Sequence, residues 1–401
     1  MSQPAPPNRP VYLDNQATTR CDPRVLQAML PWFSEDFGNP HSSEHVMGRK
    51  AEAAVERARA QVADLLRADT REIIFTSGAT EANNIAIKGA ARFALRYGNE
   101  RRRIITVATE HKCVLESVAD LGAEGFEPVV LPVDADGLLD PDRLREALAV
   151  PTLLVSVMGV NNEIGVIQDI PALAAITKEA GALFHTDLAQ ATGKIPVDLA
   201  GWKVDLASIS GHKVYGPKGI GALYVRRRPR VRIEPLFSGG GQERGLRSGT
   251  LPTPLIVGLG EACHLASEEM RADADRIAGL RERLLTRLSD AIPGLRINGS
   301  MQARIAGNLN LTFPAATAVD LMDRMPDLCV STGSACSSAE VEPSYVLRAL
   351  GLSDDQAGKT LRIAVGRFTS AADVDYAAAA LAAAHAAASA ASPRSENPAE
   401  A

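Results

Sequence analysis

From residue 72 to residue 210 the chain repeats one pattern: a short apolar run, a turn, then a stretch with apolar residues at helical spacing. The runs cover 72–77, 103–107, 128–133, 152–158, 183–187 and 206–210. Helical spacing covers 82–97, 112–121, 141–149 and 171–180. Strands separated by helices predict a parallel, doubly wound α/β sheet. Such a sheet receives ligands at the carboxyl ends of its strands.

After about residue 254 the pattern gives way to a long charged helix, 255–291, and then a smaller α+β segment. With 401 residues, 46% of them hydrophobic, the chain is long enough for two domains. The expected division is a large domain over 22–262 and a small domain built from 11–21 together with 263–392. The first ten residues are polar and Pro-rich, and 393–401 hold no apolar residue larger than Ala or Pro. Both ends are expected to be disordered, because neither buries enough surface to offset ordering entropy. The Ala-rich stretch 376–392 favours helix, but Ala buries little, so a thin edge helix is expected.

Charge narrows the partners. Forty-three Lys and Arg against 48 Asp and Glu leave a net of −5, without the basic excess that nucleic acid requires. No uninterrupted apolar stretch of about 18 residues predicts a membrane span, and the first ten residues lack the apolar core of a signal peptide. The five Cys are odd in number and form no CxxC pair. That usage predicts a reducing compartment, the cytoplasm, with one thiol free to react.

Four stretches carry chemistry. Thr76-Ser77-Gly78-Ala79-Thr80-Glu81 follows a strand and opens a helix. Its free backbone N–H groups and the Thr80 hydroxyl suit a phosphate, although Ser77 or Thr80 acting as a plain helix cap is the alternative. His185-Thr186-Asp187-Leu188-Ala189-Gln190 ends a strand on an acid. Asp187 either caps the next helix or faces the crevice, where pyridoxal phosphate (PLP) needs a carboxylate against its pyridine nitrogen. Ser210-Gly211-His212-Lys213-Val214-Tyr215-Gly216 runs a strand into a Gly-rich loop. A Lys there either sits in solvent or, desolvated, forms a Schiff base. Asp187 and Lys213 on successive strand ends favour the cofactor, which needs both. Last, Ser331-Thr332-Gly333-Ser334-Ala335-Cys336-Ser337-Ser338 sets a lone Cys in a run of small residues, suited to a mobile thiol. Cys329, beside Leu328 and Val330, reads as structural.

These stretches, with residues 12–19, Phe37-Gly38-Asn39-Pro40, Thr109-Glu110-His111-Lys112, Val160-Asn161-Asn162-Glu163, Arg247-Ser248-Gly249-Thr250 and 342–350, make the chain resemble the cysteine desulfurases of aminotransferase class V. The likeness runs from about residue 11 to 370. It is similar to the bacterial enzymes that feed iron–sulfur cluster assembly. The resemblance implies a fold-type I PLP enzyme: a large domain with a mostly parallel, seven-stranded sheet between helices, plus a smaller α+β domain. It implies that Lys213 holds PLP and moves protons, that Asp187 pairs with the pyridine nitrogen, and that Gln190 bonds the ring's phenolic oxygen. His111 would stack on the ring and assist acid–base steps. Ala79, Thr80, Ser210 and His212 would hold the phosphate, with Thr250 reaching in from the partner subunit of a homodimer. Asn162 and Arg362 would hold the substrate carboxylate, since the Arg fork matches a carboxylate. Cys336 would take the sulfur of L-cysteine as a persulfide, from a long, mobile loop, and pass it to a scaffold or sulfur-carrier protein.

Two positions depart from the family pattern: Gly159, where relatives often carry His, and Leu188-Ala189 between Asp187 and Gln190. The Ala-rich and polar C-terminus also differs from the scaffold-docking segment of cluster-assembly relatives. His41 and His45, without an HExxH pattern, are not expected to bind metal, and His185 is expected to pack rather than act as a base. A class V aminotransferase would share Lys213 and Asp187 without needing Cys336. A selenocysteine lyase would share every group, and a sulfur-trafficking scaffold would need none of them intact.

Overall fold

The computed structural model describes residues 10–332 and 343–391. Strand β1 (Val11–Tyr12) precedes helices α1 (Pro23–Met29), α2 (Pro31–Ser34) and α3 (Val46–Leu66). Then come β2 (Ile73–Thr76), α4 (Ala79–Arg96), β3 (Arg103–Val107), α5 (Lys112–Ala123), β4 (Glu127–Leu131), α6 (Pro141–Ala147), β5 (Thr152–Ser156), α7 (Ile170–Glu179), β6 (Leu183–Asp187), β7 (Leu206–Ser210) and β8 (Gly221–Val225). Helix α8 (Thr253–Ala291) leads to β9 (Arg296–Ile297), β10 (Asn308–Thr312), α9 (Ala318–Asp323) and β11 (Leu328–Cys329). The described chain ends with α10 (Tyr345–Ala349), α11 (Asp354–Gly358), β12 (Thr360–Ala364) and α12 (Ala371–Ala391).

The main sheet has seven strands in the order β2-β8-β7-β6-β5-β3-β4. Strand β8 is antiparallel to both its neighbours, and the other pairings are parallel. The fold class expected from the alternation is therefore the observed one. Buried strands such as Thr152–Ser156 are covered on both faces, as a parallel sheet requires. One face packs on α3 and α8 through Val55, Val62, Ile256 and Leu259, the other on α4 and α5 through Ile85, Ile87, Val114 and Val118.

A second core lies around the three-stranded sheet β12-β10-β9. Its Leu309, Leu311, Leu361 and Ile363 pack with Leu284 and Leu288 from the far half of α8. Val11 and Leu13 join this core, and β1 pairs in parallel with β11. The expectation of a thin edge helix near the C-terminus is corrected here. In α12, Val374, Ala377 and Leu381 are fully buried in the second core. The small methyl groups of this helix allow close packing, so a run of Ala forms a buried face rather than a fringe.

Candidate functional site

The carboxyl ends of β2, β3, β5, β6 and β7 open into one cleft of about 1230 Å³. Ala79, Thr80, His111, Asn162, Asp187, Gln190, Ser210, His212, Lys213 and Arg362 all line it. Thr250 does not; it is exposed. Cys336 lies outside the described residues, as does the rest of 333–342 and the 393–401 tail.

Helix α4 begins at this cleft. Its N-cap is Gly78, and no side chain caps its first turn. The alternative of a Ser77 or Thr80 cap is thus not what the structure adopts. An 18-residue helix with open N–H groups and a positive dipole end suits an anion. The turn before it is fixed by Glu81, which accepts from the Ser77 N–H at 2.5 Å and is itself held by Arg247 at 3.0 Å.

Asp187 ends β6 with its carboxylate buried. One oxygen accepts from the Ala189 N–H at 2.8 Å and the other from the Asn83 amide at 2.7 Å. Among the described residues no helix lies between β6 and β7 for Asp187 to cap; the acid closes its own turn and lines the cleft. Lys213 closes a one-turn 3₁₀ segment after β7. Its ammonium donates to the carbonyls of Gln16 and Ala17, the latter at 2.7 Å. Beside it, His212 Nδ1 lies 3.0 Å from the Thr18 hydroxyl, and burial together with Lys213 pushes His212 down to about 4.

His111 caps α5, accepting from the Cys113 N–H at 3.2 Å through Nδ1. A nitrogen that accepts this bond carries no proton, which leaves Nε2 as the ring's donor. The Cys113 thiol lies 3.0 Å from the same nitrogen and 3.2 Å from the Asn83 amide, the group that also holds Asp187.

Arg362, on β12, reaches the cleft from the second core and is 2% exposed. It donates to the Asn162 carbonyl at 2.9 Å and to Asp14 at 2.6 Å. Its Nε and the Asn162 side-chain oxygen are buried without a partner. Each such orphan costs about 1–3 kcal/mol, which marks the spot for a polar ligand with both donor and acceptor atoms.

Motif reading left several residues of this site without a role. Glu110 is fully buried, with one oxygen accepting from the Met158 N–H and the other unpartnered. Burial, reinforced by Asp187, raises its carboxyl well above the ordinary range, which favours its neutral form. Glu163 is likewise raised by burial and bonds the Ser344 hydroxyl at 2.5 Å. Gln16 and Lys194 join Gln190 in a chain of hydrogen bonds. The only sequence signal for Glu110 was its place next to His111 in a recognised motif.

The residues read as bland are placed plainly. His185 is fully buried between the Ser156 and Ser208 hydroxyls, and burial holds it near 3, so it is neutral and packs. His45 caps α3 through Nδ1. Among the described residues no three His, Cys, Asp or Glu cluster as metal ligands, and no helix is long and apolar enough to cross a membrane. Cys329 is partly buried on β11, where burial raises its thiol. Cys263 is fully buried and raised to about 12.

Residues 11–377 match the family described as Aminotransferase class-V. The cysteine desulfurase IscS of Rickettsia felis (strain ATCC VR-1525 / URRWXCal2) is 53% identical over 371 residues, covering 92% of this chain and 90% of its own. Among solved structures, a NifS-like protein superposes with a TM-score of 0.86 at 37% identity, over 94% of this chain and 99% of its own. A structure described as SspA in complex with cysteine gives 0.79 at 38% identity, over 90% and 99%.

Proposed function

The chain belongs to the aminotransferase class-V family as a cysteine desulfurase, and from that premise we propose how its own residues remove sulfur from L-cysteine. The observation that carries the reading is convergence. One cleft holds a lysine, a buried carboxylate, an open helix N-terminus, and an Arg–Asn pair with unmet polar atoms. These are the parts that PLP and an amino-acid carboxylate need.

Lys213 would carry PLP, Asp187 would face its pyridine nitrogen, and the N-terminus of α4 with Thr80, Ser210 and His212 would hold its phosphate. When bound, PLP supplies an electron sink for charge that develops on the substrate's α-carbon. The residues do the rest. Asn83 and the Ala189 N–H hold both Asp187 oxygens as hydrogen-bond acceptors, while burial favours the neutral form of Glu110 beside it. Arg362 and Asn162 would orient the substrate carboxylate. Lys213 would take the α-proton on Nζ, and His111 would present its Nε2 proton to the substrate. The sulfur of L-cysteine would pass to the thiolate of Cys336, forming a persulfide. The electrons of the broken C–S bond would stay with the carbon skeleton, which takes a proton and leaves as alanine.

The sulfur would then go to a scaffold or sulfur-carrier protein for iron–sulfur cluster assembly or thiolation, and the working unit would be a homodimer. The test uses purified protein and L-cysteine, with alanine and protein-bound sulfur measured together. Equal amounts of each in one turnover are expected. Lys213→Ala should lose both the borohydride-reducible cofactor link and the alanine. A reducible link mapped to Lys194 or Lys218 would overturn the assignment.

A further inference from the structure

Lys194 stands one turn beyond Gln190 in the coiled segment after β6. There the Thr192 and Ile195 N–H groups donate back to Leu188 and Ala191. Side chains four apart on such a turn meet, and the Lys194 ammonium donates to the Gln190 side-chain oxygen at 2.7 Å. Gln190 is 3% exposed, and its amide nitrogen donates to the Gln16 carbonyl at 2.8 Å. Among the described residues no carboxylate forms an ion pair with Lys194. The charges that act on it are the cations Lys213 and Arg362, which add to burial in holding it near 7. A lysine kept among cations, with an amide oxygen as its hydrogen-bond partner, has a poor place for charge and a good place for fixing an amide.

A side-chain amide has an oxygen and a nitrogen of nearly equal size, so its two orientations pack alike. As an ammonium, lysine offers hydrogens only, and Lys194 donates to the Gln190 oxygen. With Lys194 on one end, the oxygen of Gln190 must face it and the NH₂ must face the other way. One of those hydrogens goes to Gln16, and the other is left for a group in the cleft that Gln190 lines.

We propose that Lys194 is a positioning residue that locks the Gln190 amide so that it donates to the phenolic oxygen of the cofactor and never opposes it with its own oxygen. The proposal rests on reading the cleft as a PLP site with the cofactor on Lys213. A donor at the phenolic oxygen stabilises its anionic form and lowers the proton affinity of the lysine-linked chromophore. A flipped amide would do the reverse.

The experiment is a pH titration of the visible absorption of the holoenzyme for wild type, Lys194→Arg, Lys194→Met, Gln190→Leu and the double variant Lys194→Met/Gln190→Leu. Loss of one such hydrogen bond should raise the chromophore midpoint by about one pH unit in Lys194→Met. Lys194→Arg should stay near wild type, since it keeps a donor on Gln190. Gln190→Leu should rise as well, and adding Lys194→Met to it should move the midpoint no further, because the two residues act as one unit. Lys194→Gln serves the same comparison if Lys194→Met does not fold. A full shift from Lys194→Met in the Gln190→Leu background would mean that Lys194 acts by charge alone. That result, or an unmoved midpoint in Lys194→Met, overturns the proposal. A wild-type protein with no lysine-linked chromophore would overturn the cofactor reading too, so the two failures are told apart.

Discussion

At the scale of residues, Asp187 is held by the Asn83 amide and Lys213 by the Gln16 carbonyl. Lys213 and Asp187 stand on successive strand ends, and that spacing is visible in the sequence. Asn83 and Gln16 act on them through contacts across long sequence separations, which no local pattern records. The two departures from the family pattern explain each other only in space. A Cβ at Gly159 would come within 2.8 Å of the Leu188 Cδ2 atom, so the larger Leu188 occupies room that a side chain at 159 would need. Glu110 yields a prediction of its own. The fold favours its neutral form, so its carboxyl titrates above the ordinary value of 4.5. The stability this contributes is fully present below about pH 4.5 and is lost as pH climbs through the raised value. Glu110→Gln has no proton to lose. Its urea midpoint should gain on wild type as pH rises above about 4.5, until the raised value is passed. Parallel profiles across that range would show that Glu110 is ionised in the fold.

At the scale of elements, strands β6 and β7 stand where the apolar runs predicted, at Leu183–Asp187 and Leu206–Ser210. Strand β8 went unread. It follows β7 through a short Gly-rich loop rather than a helix, so the strand–helix alternation gives it no signal. Helix α4 starts three residues earlier than its apolar spacing suggests, at Ala79, because Ala79-Thr80-Glu81 carries no apolar stripe. Helix α12 shows the limit of counting side-chain volume. Its Leu381 is fully buried among α12, α8 and α9 neighbours. Leu381→Ala should cost about 2–5 kcal/mol in denaturant unfolding, and cutting the chain at Tyr376 should cost more. Cysteine turnover per folded molecule should be unchanged by Leu381→Ala, since no site residue lies on α12. A substitution without effect on stability would mean that α12 does not hold the second core together.

At the scale of the whole molecule, the cleft takes its strand ends from one core and Arg362 from the other, so substrate capture depends on how the two cores meet. Helix α8 ties them, with Ile256 and Leu259 in the first core and Leu284 and Leu288 in the second. Thr250, read as a phosphate ligand, lies outside its own chain's cleft. Phe33, Phe37, Val46 and Phe237 each expose more than half of their surface, which a self-association interface would cover. Sedimentation should therefore give twice the 42.5 kDa of one chain. Phe33→Asp with Phe37→Asp should weaken both the dimer and the turnover, and a fully active monomer would contradict the dimeric site. The proposed chemistry divides the work between Lys213, which would hold the cofactor, and Cys336, which would take the sulfur. It is tested most directly by one turnover of sulfur-labelled L-cysteine on wild type and on Cys336→Ser, with the label located by peptide mass spectrometry. Wild type should carry the label on Cys336 and release one alanine per site, while Cys336→Ser binds the cofactor yet carries no label and forms no alanine. Label on Cys113 or Cys329, with Cys336→Ser still turning over, would contradict it.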